Sequence, residues 1–238
     1  MAMHRAWRFV ADHWVLVAGL LVLAYLSAPV AVVVALSFNK PAGRLSYDLH
    51  EFTLDNWADP CGPAELCSAV ARSAQIGFLA TLVATVLGTM MAFALARHCF
   101  RGRNTISVLV LLPMATPEVV LGSALLALFV GARVPLGFWT VLVAHVMFCL
   151  SFVVVTVKAR LAGLDPRLME AAMDLYANEW QTFRRVTLPL LLPGIAAAAL
   201  LSFSLSFDDF VITNFNSGVM VTFPMYVWGA AQRGIPPQ

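Results

Sequence analysis

Of the chain's 238 residues, 61% are hydrophobic and only 12% are charged, about half the charged share of a soluble domain. A net charge of +2 gives no basic field for nucleic acid. With a mean hydropathy of +0.82, the composition excludes a soluble globular domain and points to an all-α integral membrane protein.

The apolar residues fall into five predicted spans, at about 15–38, 71–96, 106–130, 138–157 and 190–215. Each reaches the roughly 20 residues needed to cross the hydrocarbon core. The first is longer than the core of a cleavable signal peptide and reads as a retained signal-anchor. Basic residues collect before it (His4, Arg5, Arg8), after the second span (Arg97, His98, Arg101, Arg103) and after the fourth (Lys158, Arg160, Arg167, Arg184, Arg185). The loop from Asn39 to about Ala69 is acidic, with Asp48, Glu51, Asp55, Asp59 and Glu65 against Lys40 and Arg44. Basic residues stay inside, so the N-terminus and the 161–189 loop are expected to be cytoplasmic. Cys61 and Cys67 share the outer loop, either as a disulfide or as two thiols. Cys99 and Cys149 read as packing residues, and no Cys/His group has metal-ligand spacing.

Polar groups inside the apolar segments mark candidate function. Glu118 lies in LLPMATPEVVLG of the third span. Counted along a straight helix from Ile106 it stands roughly 18 Å into the membrane. Pro113 and Pro117 each remove a helix hydrogen bond there. Glu118 either lines a solute path or bonds, protonated, to a neighbouring span. In the fifth span Ser202, Ser206, Asp209 and Thr213 fall at i, i+4, i+7, i+11 and form one polar stripe, beside an aromatic stripe of Phe203, Phe207 and Phe210. Carboxylates beside aromatic faces suit a flexible organic cation. The alternative for Asp208 and Asp209 is a cap at the water interface, or pairing with Arg72 or Arg133. Adjacent on a helix, these carboxylates point about 100° apart and cannot form a shared-proton dyad. His145 reads as a packing group. With no HExxH or GxSxG, an intramembrane hydrolase has nothing to work with.

The 165–189 loop is polar and basic between two apolar spans. Asp165 before Pro166 is a helix start, and Leu168, Ala171, Ala172 and Leu175 make a narrow apolar stripe. Asn178 with Gln181 resembles a capping box opening a second short helix, to which Trp180 and Phe183 give an apolar face. The joint is expected near residues 176–178. Tyr176 enters the left-handed region only at a cost, so Asn178 is the expected bend.

Glu170-Ala171-Ala172, followed at the right distances by Val186, Leu188 and Pro189, resembles the cytoplasmic coupling loop of permease subunits from ATP-binding-cassette (ABC) importers. Tyr176 stands where that pattern has Gly. LLPMATPEVVLG, SLSFDDFVIT and VTFPMYVWGAAQRGIPP extend the resemblance over nearly the whole chain, to the second permease subunit of spermidine/putrescine-type importers; the alternatives are an importer permease for another small solute and a non-transporting membrane scaffold. The resemblance implies one transmembrane permease domain over 1–238, a polytopic helical bundle of the ABC importer permease type. It also implies a sixth span, expected beyond Gln238. Glu170, Ala171, Ala172, Asp174, Leu175, Tyr176, Leu188 and Pro189 would couple to an ATPase. Glu118, Phe207, Asp208, Asp209 and Phe210 would line the solute path. The implied partners are ABC ATPase subunits, a second homologous permease subunit, an extracytoplasmic solute-binding protein and the lipid bilayer. No cofactor and no catalysis are implied. The chain has no GxxxxGK[ST], so ATP is expected on a separate subunit.

Overall fold

The computed structural model describes residues 2–40, 51–62, 64–165 and 167–233. Pro166, the 41–50 part of the acidic loop with Arg44 and Asp48, and the 234–238 end lie outside the described residues. So do the side chains of residues 2–12, 64 and 233. The helices are α1 (Ala2–Ser37), α2 (Asp55–Ala58), α3 (Ala64–Arg97), α4 (Arg103–Ala115), α5 (Glu118–Gly131) and α6 (Phe138–Ala162). They continue with α7 (Arg167–Asp174), α8 (Glu179–Thr182), a π-helical turn (Phe183–Thr187), α9 (Leu188–Asp208), α10 (Val211–Asn216) and α11 (Phe223–Arg233). Among the described residues the one β pairing outside this helical set is a bridge between Asn39 and Phe52.

The chain groups into two units, Met1–Ala64 with Gly229–Gln238, and Glu65–Trp228. In the first, the 14–37 part of α1 is apolar all round and leaves Trp14, Leu21, Tyr25 and Val33 exposed, as lipid-facing residues are in a bilayer. Its end is fixed by Phe38, whose ring stacks between Phe52 and Trp57 at 5.8 and 5.5 Å. Asn56 Nδ2 donates to the carbonyls of Ser37 and Asn39, satisfying acceptors that the helix end leaves open.

In the second unit α6 is the central helix. Over half of its apolar window (56%) is buried, against 28% for Glu65–Arg97 and 22% for Glu179–Asp208. Phe148, Cys149, Val153, Val154 and Val157 of α6 meet Ala84, Ala92 and Leu95 of α3 and Leu191 and Ala198 of α9 in one cluster. Lipid supplies no hydrophobic drive between helices, so close backbone approach matters more. At Gly88 a Cβ would lie 2.6 Å from Val153 Cγ1, and at Gly122 one would lie 2.8 Å from Phe215 Cδ2. Both glycines therefore hold positions where no side chain fits.

Two expected spans are not continuous. The third turns by 107° between α4 and α5. Pro117 drives Thr116 out of helical geometry, to φ −86° and ψ 134°, while the Thr116 N–H and hydroxyl both donate to the Leu112 carbonyl and close α4. Pro113 by contrast sits inside α4. The straight-helix depth of Glu118 therefore does not hold, because the axis it was counted along ends before that residue.

The fifth expected span also breaks. It stops at Asp208, Asp209 is extended (φ −69°, ψ 119°), and α10 begins at Val211. At its other end the helix starts earlier than expected. Glu179–Asp208 runs as one apolar helix, so the segment opening at Glu179 is the root of the span rather than a separate short helix. The π turn, with Leu188 N–H donating to Phe183 O, precedes Pro189 and absorbs its missing donor. Beyond the fifth expected span the chain also forms α11.

Candidate functional site

The 165–189 elbow is built by local caps. Asp165 Oδ1 accepts from the Arg167 N–H at 3.0 Å and opens α7. Asn178 and Gln181 cap each other's backbone N–H at 2.8 and 3.0 Å and open α8. Between them the chain turns at Tyr176, not at Asn178. Tyr176 has φ +62°, while Asn178 is extended at φ −75°. Two bonds impose this: Tyr176 N–H to Met173 O (2.9 Å) and Ala177 N–H to Ala172 O (3.1 Å), the pair that ends a helix on a left-handed residue. They outweigh the roughly 1–2 kcal/mol that a side chain costs there.

The elbow's outward face carries Glu170, Ala171, Asp174, Leu175 and Tyr176, all exposed, Leu175 at 81% and Tyr176 at 98%. Ala172 alone of the motif residues on α7 is buried, so it packs inward rather than on the outer face. Leu188 and the exposed Pro189 lie on α9, across the π turn. Behind the elbow is a cavity of about 680 Å³, which the sequence did not reveal. Phe93, Met173, Trp180 and Phe183 are among its walls. Phe183 meets Phe93 edge-on at 5.2 Å and Trp180 stacked at 5.7 Å, and the Arg97 guanidinium contacts Met169 Sδ. The elbow is thereby seated on the end of α3.

Tyr176→Gly is expected to shift Tm little, since relief of strain is offset by about 0.4–1 kcal/mol of added chain entropy. Tyr176→Pro fixes φ near −65° and deletes the donor to Met173. Loss of uptake with normal membrane insertion is expected, read by a transport assay and by melting in detergent.

The polar stripe of the fifth span does face inward: Ser202, Ser206, Asp209 and Thr213 are all buried. The two aspartates part at the helix break. Asp208 is exposed. Asp209 is enclosed, and its carboxylate accepts from Ile212 N–H (3.3 Å), Thr213 N–H (2.8 Å) and the Thr213 hydroxyl (2.9 Å). It caps α10 and lies 3.3 Å from His145 Nε2. Sequence reasoning missed the part played by His145; the signal was a lone imidazole in one apolar span and a polar stripe in another. Arg72, a possible partner of the aspartates, instead donates to the Val221 carbonyl at 3.3 Å.

The Phe207 ring centroid is 5.9 Å from that of Phe203 and 5.8 Å from that of Phe223, and Phe210 packs on Trp228 at 5.2 Å. Glu118 is exposed on the first turn of α5. α5 packs on α10, where Asn216 Nδ2 donates to Gly122 O at 3.3 Å and the Thr140 hydroxyl donates to Asn216 O at 2.7 Å. Cys61 and Cys67 are disulfide-bonded.

Residues 84–229 match the family described as binding-protein-dependent transport system inner membrane component. The chain is 39% identical over 219 residues to the spermidine/putrescine transport system permease protein PotC of Haemophilus influenzae, covering 91% of this chain and 84% of that one. It is 36% identical to PotC of Escherichia coli K12, over 91% and 82% of the two chains. To the putrescine transport system permease protein PotI of the same strain it is 35% identical, over 96% and 84%. Among solved structures it superposes on a bacterial ABC transporter involved in import of the acidic polysaccharide alginate, with a TM-score of 0.68, 16% identity and 95% and 81% coverage. The inward-facing MetNI methionine ABC transporter gives 0.62, 19% and 74% and 85%. At such identities these two speak for the fold alone.

Proposed function

The chain belongs to the inner-membrane components of binding-protein-dependent transport systems, and from that premise we propose that it lines the path of an ATP-driven importer for a small organic cation of the spermidine/putrescine class. The observation that carries the cargo class is the placement of Glu118 and Asp208. Each is an exposed carboxylate beside a break in a membrane-crossing helix. Backbone freed from helical pairing within a membrane belongs where it lines a cavity. A carboxylate there attracts a cation, and Phe207 and Phe210 near Asp208 offer ring faces to an alkylammonium group.

Residues 1–238 work as one permease domain with no catalytic step of its own. ATP is hydrolysed on ABC ATPase subunits, a second homologous permease subunit completes the path, and an extracytoplasmic solute-binding protein delivers cargo. The basic residues bordering the spans support a cytoplasmic N-terminus and elbow in a bacterial inner membrane. Glu170, Ala171, Asp174, Leu175 and Tyr176 form the face that a moving ATPase grips. The span from Glu179 carries that motion without an intervening joint into Asp208, because α8, the π turn and α9 are one continuous helix.

The test is reconstitution with the partner subunits in vesicles. ATP-dependent uptake of labelled putrescine or spermidine is expected, displaced by unlabelled polyamine and not by a neutral sugar. Equal displacement by the sugar, or no polyamine uptake, would overturn the cargo class.

A further inference from the structure

We propose that His145 is a positioning residue for cargo binding: from α6 it holds open the break between α9 and α10, and so sets where Asp208 stands. The inference rests on the reading of Asp208 as a cargo-path carboxylate. The imidazole is 2% exposed. Its Nδ1 lies 2.7 Å from Ser206 Oγ in the last turn of α9, and its Nε2 lies 2.9 Å from Thr213 Oγ1 in α10. Nε2 is also 3.3 Å from Asp209 Oδ2, at the extended residue between the two helices. One ring thus joins both sides of the break and the break itself to the central helix.

The sequence gives a reason why such a latch is needed. Ser202, Ser206, Asp209 and Thr213 are spaced as one continuous helix would space them, so local preference does not require the chain to stop at Asp208. A local cap and a tertiary contact hold the break. Asp209 turns its carboxylate onto the Ile212 and Thr213 N–H groups, and His145 is the partner from another element that accompanies it there. Without the ring, the buried Ser206 and Thr213 hydroxyls and the Asp209 carboxylate each lose one contact, which the membrane interior penalises. Restoring helix through 209 and 210 is one way to recover bonds. That change rotates Asp208 relative to α10, because in a helix each residue is set about 100° from the next.

In the assembled transporter His145→Ala is expected to raise the KM for putrescine about tenfold, with a much smaller fall in maximal uptake. His145→Gln, whose amide both donates and accepts, should recover most of the loss. Because His145 acts through Asp208, the double variant His145→Ala/Asp208→Asn should be no worse than Asp208→Asn alone. An unchanged KM in His145→Ala, or effects that multiply, would overturn the proposal. If His145→Ala fails to assemble, Thr213→Val removes one hydroxyl of the latch at constant shape and is read in the same way.

A second readout does not depend on cargo. Asp208→Cys is placed in a Cys99→Ser background, since Cys99 is an exposed free thiol and Cys149 a buried one. Its labelling rate with a membrane-impermeant maleimide should change about tenfold on His145→Ala. An unchanged rate sinks the latch. Failure of the wild type to import polyamines, with a changed rate, sinks only the cargo reading.

Discussion

Glu170→Lys is expected to abolish ATP-driven uptake and the co-purification of ATPase subunits, while the permease still inserts in the membrane. Glu170 is exposed on α7, and the helix is held by contacts on its other side, through the buried Ala172 and through Met169 against Arg97. Neither fold nor insertion therefore depends on the carboxylate. Reversing a charge at the centre of a docked face removes one interaction and adds a repulsion, together about 2–5 kcal/mol, or roughly 30- to several-thousand-fold in affinity. Leu175→Ala, at an apolar position 81% exposed, should weaken the same association less. Pull-down of the ATPase from detergent extracts measures the association, and vesicle uptake measures the transport. Full complex recovery with normal uptake in Glu170→Lys would remove the elbow from the coupling role.

What the sequence carried and what it did not separate along the distance over which the deciding contacts act. The elbow was legible because its caps are local: Asp165 reaches two residues ahead, and Asn178 and Gln181 reach three. The turn was misplaced to Asn178 because residue type argues against a left-handed Tyr, whereas the hydrogen bonds that end α7 place residue 176 there. In the third span the two prolines announced weakness, but not that Pro113 would be tolerated and Pro117 decisive, nor an angle of 107°.

The fifth span shows the sharper failure. A period of 3.6 is the same for one helix or two in register, so the stripe gave the buried face correctly and the break not at all. The deciding partner, His145, is 61 residues from Ser206 and 68 from Thr213. α11 had a readable start, since Thr222, Phe223 and Pro224 give a cap-type residue and an early proline. Its apolar length is too short for a span.

The two adjacent aspartates are expected to fail in different ways. Asp208→Asn removes a charge from an exposed side chain that caps nothing among the described residues, so the melting temperature of the purified permease should stay within a degree or two. Its effect should appear on cargo: about tenfold weaker uptake of a dication, the order expected when one charge-assisted contact is lost, with little change for a neutral solute. Asp209→Ala acts on the fold. It deletes the cap of α10, worth about 1 kcal/mol, and leaves the Thr213 hydroxyl and His145 without their carboxylate, at about 1–3 kcal/mol for each buried group. A loss of roughly 3–5 kcal/mol, as for other broken buried pairs, should lower Tm by many degrees and reduce uptake of every cargo alike. Melting curves in detergent and uptake of charged against neutral solutes separate the two. If Asp209→Ala melts like wild type and loses only polyamine uptake, its carboxylate meets cargo rather than α10, and the assignment of Asp208 to the path and Asp209 to the frame must be reversed.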